Sequence, residues 1–259
     1  MISNPPEHVL SAFRSSGRPV VGQPEQLGYA WDNGLRVGDV VYAVAPATAT
    51  WSARVREKLS VTGARVARPL LTTDGRYTVA GWKATQFVAG DLEKRVDETA
   101  LLAGRLEAAL AEYSVPFAGT AESRTDVFAQ AERAAWEETS EYYADLSGLP
   151  RVVGHADLLA TTLYSGHNPP AIVEVVPTAA PRPKGYTAAL VIVDGLVNRA
   201  VDDAICDRFD HIEGLDQLLL RAAAYRRHVN SLHEDSRVNV RSEIQRVEQM
   251  LVSRVCAKL

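Results

Sequence analysis

The sequence predicts an α+β chain in two lobes: a small β-rich part over residues 1–90 and a larger, mostly helical part over 91–259. Three observations carry that expectation. The first ninety residues are dense in Val, Thr, Tyr and Trp, which suit a pleated, half-buried surface. After "VAGD" (88–91) the texture changes to apolar stripes at helical spacing among many charges. Two short apolar runs, "VVGHADLLATTLYSG" (152–166) and "PAIVEVV" (170–176), then read as a hairpin over 152–176, near the start of the second part.

The bulk composition narrows the class of protein. A chain of 259 residues with 46% hydrophobic and 23% charged residues matches a soluble globular protein rather than a disordered one. A net charge of −4 disfavours nonspecific binding to nucleic acid or to an anionic membrane, so neither is expected as a partner. Cys206 and Cys256 are far apart and match no metal-ligand spacing, so they read as free thiols in a reducing compartment. The N-terminus "MISNPPEHVL" has neither the basic region nor the apolar core of a signal peptide. No apolar run approaches the roughly 20 residues that span a bilayer. A cytoplasmic protein is expected.

Within the N-terminal part, "LRVGDVVYAVA" (35–45) reads as strand, and "ATATWSARVREKLSVTG" (47–63) as a helix with Trp51, Val55 and Leu59 on one face. "TTDGRYTV" (72–79) is an Asp-Gly turn between strand-like runs, a hairpin signal. In the second part, Asp91 is placed to N-cap a helix over 92–113, and a loop over 114–126 leads to a helix over 127–146. Gly148 and Pro150 break that pattern before the hairpin. "PTAAPRPKG" (177–185), with three prolines, is an extended loop. From Tyr186 the chain is helical, with interruptions near Gly214 and over 233–239.

The spacing of polar residues in the hairpin suggests chemistry. Protein kinases carry H-x-D-x-x-x-x-N, followed by a metal-binding Asp at the end of a nearby strand. The first Asp orients the attacking hydroxyl and accepts its proton. The Asn and the second Asp hold Mg²⁺ through oxygen ligands. Here His155-Ala156-Asp157 supplies the first part, Thr162 occupies the Asn position, and Glu174, seventeen residues after Asp157, occupies that of the second Asp.

The stretch 152–197 resembles the H-G-D-L-x-x-x-N-(V/L)…A-I-I-D-(W/F) region of the aminoglycoside phosphotransferases and choline kinases, most of all their members from high-GC actinobacteria. "AWDNGLRVGDVVYAV", "ARVARPLLTTDGRYTVAGW" and "FVAG" resemble the same family's strand order and inter-lobe hinge, so the likeness covers most of the chain. It implies a two-lobed protein-kinase-like fold, with ATP and Mg²⁺ as cofactors if the family's activity is kept. It also implies a nucleotide site built from the covering loop (22–34) with Gly28 and Trp31, from Ala43 on the third strand, and from Gln86 and Val88 at the hinge. His155 and Asp157 take the catalytic positions, and Thr162 and Glu174 the metal positions.

The chain departs from that pattern where phosphate would be held. The family's third strand ends in V-L-K, whose lysine grips the α- and β-phosphates. Here Val41-Tyr42-Ala43 stands in its place, and the helix position expected to pair with the lysine holds Arg54. The covering loop is poor in glycine and contains Trp31. Of five expected functional positions only Asp157 is intact. Losing one oriented charge in such a site costs about 10²–10³ in rate, and only a lysine from elsewhere, Lys83 or Lys184, would compensate.

The expectation is therefore a degenerate member, a pseudokinase serving as a binding or regulatory module. Two alternatives stand beside it. One is an active ATP- and Mg-dependent phosphotransferase acting on a small-molecule hydroxyl. The other is a protein-interaction scaffold whose cleft is filled by Trp31 or other side chains. Partners would then be a nucleotide with a small molecule, or another protein.

Structural roles compete at each position. His155 suits a hydrogen-bonding role near the loop as well as a catalytic one, Thr162 a strand start, and Glu174 an outward strand position. The cluster His228, His233, Glu234 and Asp235 matches no familiar metal motif and reads as a solvated helix end. Trp51, Trp82 and Trp136 are expected in the core, and Trp31, beside Asp32-Asn33-Gly34, half exposed.

Overall fold

Short β-branched runs separated by turns build most of the first of two compact units. The computed structural model describes residues 4–13, 23–117, 124–142, 144–233 and 238–258, so Gly22 and the acidic pair Glu234 and Asp235 lie outside the described residues. Unit 1 comprises Met1–Glu93 with Ala160–Val176, and unit 2 comprises Lys94–Leu159 with Pro177–Leu259.

Unit 1 begins with helix α1 (Glu7–Ala12). Its main sheet contains β1 (Glu25–Gln26), β2 (Leu35–Val37), β3 (Val40–Val44), β5 (Thr78–Val79) and β6 (Trp82–Gln86). The order is β1-β2-β3-β6-β5, antiparallel throughout. The β5–β6 hairpin closes on Ala80 and Gly81, both at positive φ (48° and 77°), the sign that a two-residue hairpin loop matching strand twist requires. The Asp74-Gly75 turn also forms, with the Gly75 amide bonded to the Thr72 carbonyl at 2.9 Å. It closes a loop ahead of β5 rather than the hairpin expected there.

Helix α2 (Ala49–Lys58) follows β3 and is shorter than the stretch 47–63 that its periodicity suggests. A second sheet of four strands has the order β4-β10-β9-β7. It is built from β4 (Arg65–Val66), β7 (Asp91–Leu92), β9 (Thr162–Ser165) and β10 (Asn168–Ile172), with β4 parallel to β10. Asp91 is thus no helix cap. It pairs with Tyr164 across β7 and β9, because the long-range partner satisfies its backbone better than an isolated helix end would.

Unit 2 is helical. It contains α3 (Val96–Leu110), α4 (Val127–Tyr142), α5 (Tyr186–Val197), α6 (Ile205–Arg208), α7 (Leu215–Leu232) and α8 (Val238–Cys256). A small antiparallel pair, β8 (Arg151–Val152) with β11 (Arg182–Pro183), sits between α4 and α5. Residues Tyr186 to Val193 of α5 are all buried, as expected of a helix apolar on nearly every side. It packs against α3 and α7, and α7 packs in turn against α4 and α8. No helix among the described residues is long and apolar enough to cross a membrane.

Candidate functional site

In unit 1 the carboxylate of Glu174 is the centre of a buried ionic cluster. Glu174 follows β10 and is 7% exposed; Arg56 on α2 is 1% and Lys83 on β6 is 6% exposed. Arg56 places Nε 3.2 Å from Oε1 and Nη2 3.4 Å from Oε2 of Glu174. The Lys83 ammonium donates to Oε2, the Ser52 hydroxyl donates to Oε1, and the Val175 amide donates to Oε1 at 3.0 Å. Ser52 and Arg56 are one helical turn apart, so both reach the same point from α2.

Burial alone would raise the Glu174 pKa, but the Arg56 and Lys83 cations and the hydrogen bonds override it and hold the group at about 2. Burial likewise pushes the Lys83 ammonium down, but the carboxylates of Glu174 and Asp32 hold it above the ordinary lysine value. Asp32 lies 2.6 Å from the ammonium and is itself half exposed.

Two cations of this cluster lie close to Ala43 and Arg54, the positions at which the sequence departs from the resembled pattern. Ala43, at the place of the strand lysine, is the direct cross-strand partner of Lys83. Directly opposed residues project from the same sheet face, so Lys83 brings an ammonium to the side of the sheet that Ala43 faces. The helix residue turned toward it is Arg56, not the exposed Arg54. Glu174 is therefore already paired with two cations of its own chain, the second positive charge being balanced by Asp32. A divalent metal there would have to displace both, and the site does not fit one.

Trp31 closes the space beside this cluster. Gly28, Trp31 and Gly34 form a tight turn in which the Trp31 and Asn33 amides bond the Gly28 carbonyl and the Gly34 amide bonds the Trp31 carbonyl. Asp32 and Asn33 both take φ of 52°, a left-handed conformation that Asp and Asn tolerate better than most residues. The turn sends the indole inward, where it is 8% exposed among Val41, Ala67, Leu163, Ala171 and Val173. It stacks on Phe87 at 5.6 Å between centroids.

The half-exposed position expected for Trp31 is thus corrected: it is buried, while Trp51, Trp82 and Trp136 are only partly so. The void bounded by Trp31, Asp32, Ala43, Lys83, Val173 and Glu174 measures about 10 Å³, no more than one water needs. A purine base does not fit there while the indole stays. Gly34 fixes the turn, since a Cβ on it would lie 2.6 Å from the Tyr42 carbonyl oxygen and 2.9 Å from that of Trp31. Gly34→Ala is expected to cost about 1–3 kcal/mol through this backbone clash, measurable by urea denaturation.

Unit 2 carries the other sequence-predicted pair. His155 is fully buried. Its Nδ1 accepts the Asp157 amide at 3.1 Å, and its own amide donates to Thr187 Oγ1 at 3.0 Å, so the imidazole shapes the loop that presents Asp157. The Asp157 carboxylate is partly exposed, with Arg226 Nη2 of α7 3.7 Å away. Arg226 also holds Asp194 of α5 through two contacts of 2.6 Å and donates to the Ala156 carbonyl at 3.0 Å. Burial raises the pKa of Asp194 despite this guanidinium.

The remaining predicted residues are placed as follows. Thr162 is buried at the start of β9, opposite Ile172. Gln86 ends β6, exposed, with its amide bonded to the Arg68 carbonyl. Val88 packs beside the Trp31 cluster. Lys184 is exposed just before α5 in unit 2. Among the described residues no group of three or more His, Cys, Asp or Glu side chains is disposed to hold a metal. Sequence reasoning missed Ser52, Arg56, Asp32, Asp194 and Arg226. A trace of the first two was present in the i, i+4 spacing of Ser52 and Arg56 beside Ala49 and Ala53.

Comparison with known proteins adds the fold. No protein-family model matches the sequence, and no curated protein sequence does. The structure is similar to an aminoglycoside phosphotransferase from Alicyclobacillus acidocaldarius. The match covers 100% of this chain and 97% of the other, with 14% identity and a TM-score of 0.59. It is also similar to a choline/ethanolamine kinase family protein from Mesorhizobium loti, over 90% of this chain and 88% of the other, with 13% identity and a TM-score of 0.53. The chain thus has the two-lobed, protein-kinase-like α+β fold that those two structures share.

Proposed function

We propose that this chain is a degenerate kinase-fold protein, a pseudokinase that serves as a binding or regulatory module and whose nucleotide pocket is closed by its own side chains. One observation carries the reading: the Glu174 carboxylate is taken by Arg56, Lys83 and Ser52. The indole of Trp31 occupies the neighbouring apolar space and supports the same reading. Of the non-catalytic roles, this filled pocket favours a protein-interaction scaffold over a nucleotide sensor.

A second reading has its own support. Lys83, opposite Ala43, supplies the ammonium that an active ATP- and Mg-dependent phosphotransferase needs. In that case Asp157 would position the acceptor hydroxyl, and Thr162 with Glu174 would hold the metal only after Glu174 had given up both Arg56 and Lys83.

Thermal denaturation with and without ATP and Mg²⁺ separates the two. A ligand at 100 times its Kd stabilises the native state by about 2.7 kcal/mol. The proposal expects no shift at millimolar ATP and Mg²⁺ for the natural chain, and a nucleotide-dependent shift in Trp31→Ala, where the apolar space is open. A Mg-dependent shift in the natural chain, or phosphate transfer to a small alcohol abolished by Asp157→Asn, would overturn it.

A further inference from the structure

Gly104 stands in the interior of α3, where glycine is less favourable than alanine. Close packing does not call for it, because a Cβ there would meet no heavy atom within 4 Å. Ala100, Gly104 and Glu107 follow one another at i, i+4 and i+7, so they share a face of the helix. That face borders a cavity of about 460 Å³ in unit 2, within the range of about 300–1,000 Å³ usual for small-molecule sites. The missing side chain at 104 keeps this space open.

The walls of the cavity are mainly apolar, with Leu101, Phe209 and Ile212 among them, and Leu101 is 56% exposed. Glu107 at its base is already engaged: its two oxygens accept the Gly185 and Thr187 amides, at 2.8 and 2.9 Å, at the start of α5. At the rim are one ammonium, Lys184, one carboxylate, Glu213, and the imidazole of His211, all exposed. Neither Lys184 nor Glu213 makes a close ion pair among the described residues, although the Lys184 ammonium is near enough to the Glu107 carboxylate to favour its charged form. The rim thus offers one charge of each sign above an apolar trough.

We propose that this cavity binds a small zwitterion with an apolar side chain, an apolar α-amino acid. Its carboxylate pairs with Lys184, its ammonium pairs with Glu213, and its side chain lies against Leu101 and Ile212. The site is separate from the ionic cluster and from Trp31, and it does not depend on whether nucleotide binds.

Isothermal titration of the full chain with L-phenylalanine, 3-phenylpropanoate and 2-phenylethylamine tests it. Saturable binding of phenylalanine is expected, with each half-ligand weaker by about tenfold because one charge-assisted pairing is lost. Lys184→Gln should weaken phenylalanine by a similar factor while leaving 2-phenylethylamine unchanged. Gly104→Leu should abolish binding without lowering the melting temperature, which shows that the variant is folded. Absence of saturable binding at millimolar phenylalanine overturns the proposal. So does a half-ligand that binds as tightly as the zwitterion, or unchanged binding in folded Gly104→Leu.

Discussion

Glu174→Gln is expected to lower the unfolding free energy by about 3–5 kcal/mol, the cost of leaving buried cations without their carboxylate. For a chain of this size that is a fall of about 10 °C in melting temperature, read by calorimetry. Arg56 and Lys83 would be left buried with one neutral amide between them, and only the partly exposed Asp32 would still face Lys83.

The same cluster sets an acid limit. The folded-state pKa of Glu174, about 2, is depressed below the ordinary 4.5. Its contribution is therefore fully present above pH 4.5 and is lost as the pH falls toward 2, and it amounts to about 3 kcal/mol. A variant carrying Arg56→Leu, Lys83→Met and Glu174→Leu together should recover most of the stability that Glu174→Gln loses, because an apolar replacement of a whole buried ionic group is often neutral. It should also lose less stability than the natural chain between pH 4.5 and 2. Acid titrations of the two chains with equal slopes would show that the cluster does not govern acid stability.

Arg226→Met is expected to have an effect of the same size in unit 2, about 3–5 kcal/mol. Asp194 is largely buried, and the Arg226 guanidinium grips both of its carboxylate oxygens. Without the guanidinium the carboxyl must take up a proton to stay buried, so the loss grows as pH rises. Adding Asp194→Leu to Arg226→Met should restore much of the stability. Arg226→Lys should restore little, since an ammonium cannot reproduce the two-pronged contact or reach the Ala156 carbonyl as well. Urea denaturation at two pH values distinguishes these outcomes, and an Arg226→Met protein as stable as the natural chain would refute the assignment.

The division into a β-rich and a helical part was legible because the two hydrophobic periods differ and change near residue 90. Asp157 and Glu174 stood out in the sequence because the spacing between them is a property of the linear chain. The partners of Glu174 were not. Lys83 acquires its role from the pairing of β3 with β6, and strand register is set by contacts between segments forty residues apart. Arg56 was passed over for Arg54 because the resembled pattern puts the lysine's helix partner at position 54, and a difference of two residues turns a helical side chain to a different face. Trp31 was expected half exposed because its neighbours are polar. The left-handed pair Asp32 and Asn33 instead turns the chain sharply enough to send the indole inward. Asp91 looked like a helix cap because its strand partner, Tyr164, lies some seventy residues away in sequence.

The Ala43–Lys83 pairing has a consequence for how motifs along a chain are interpreted. Linear patterns record which strand a charge is attached to, whereas a carboxylate responds only to where the charge ends up. When two strands are in register, a lysine can pass from one to its neighbour and arrive beside the same acid. A scan along either strand then registers a deletion or a gain, although the local electrostatics have changed little. For folds of this kind, the useful unit of comparison is a rung of the sheet, read across strands, and not the run of letters along one of them.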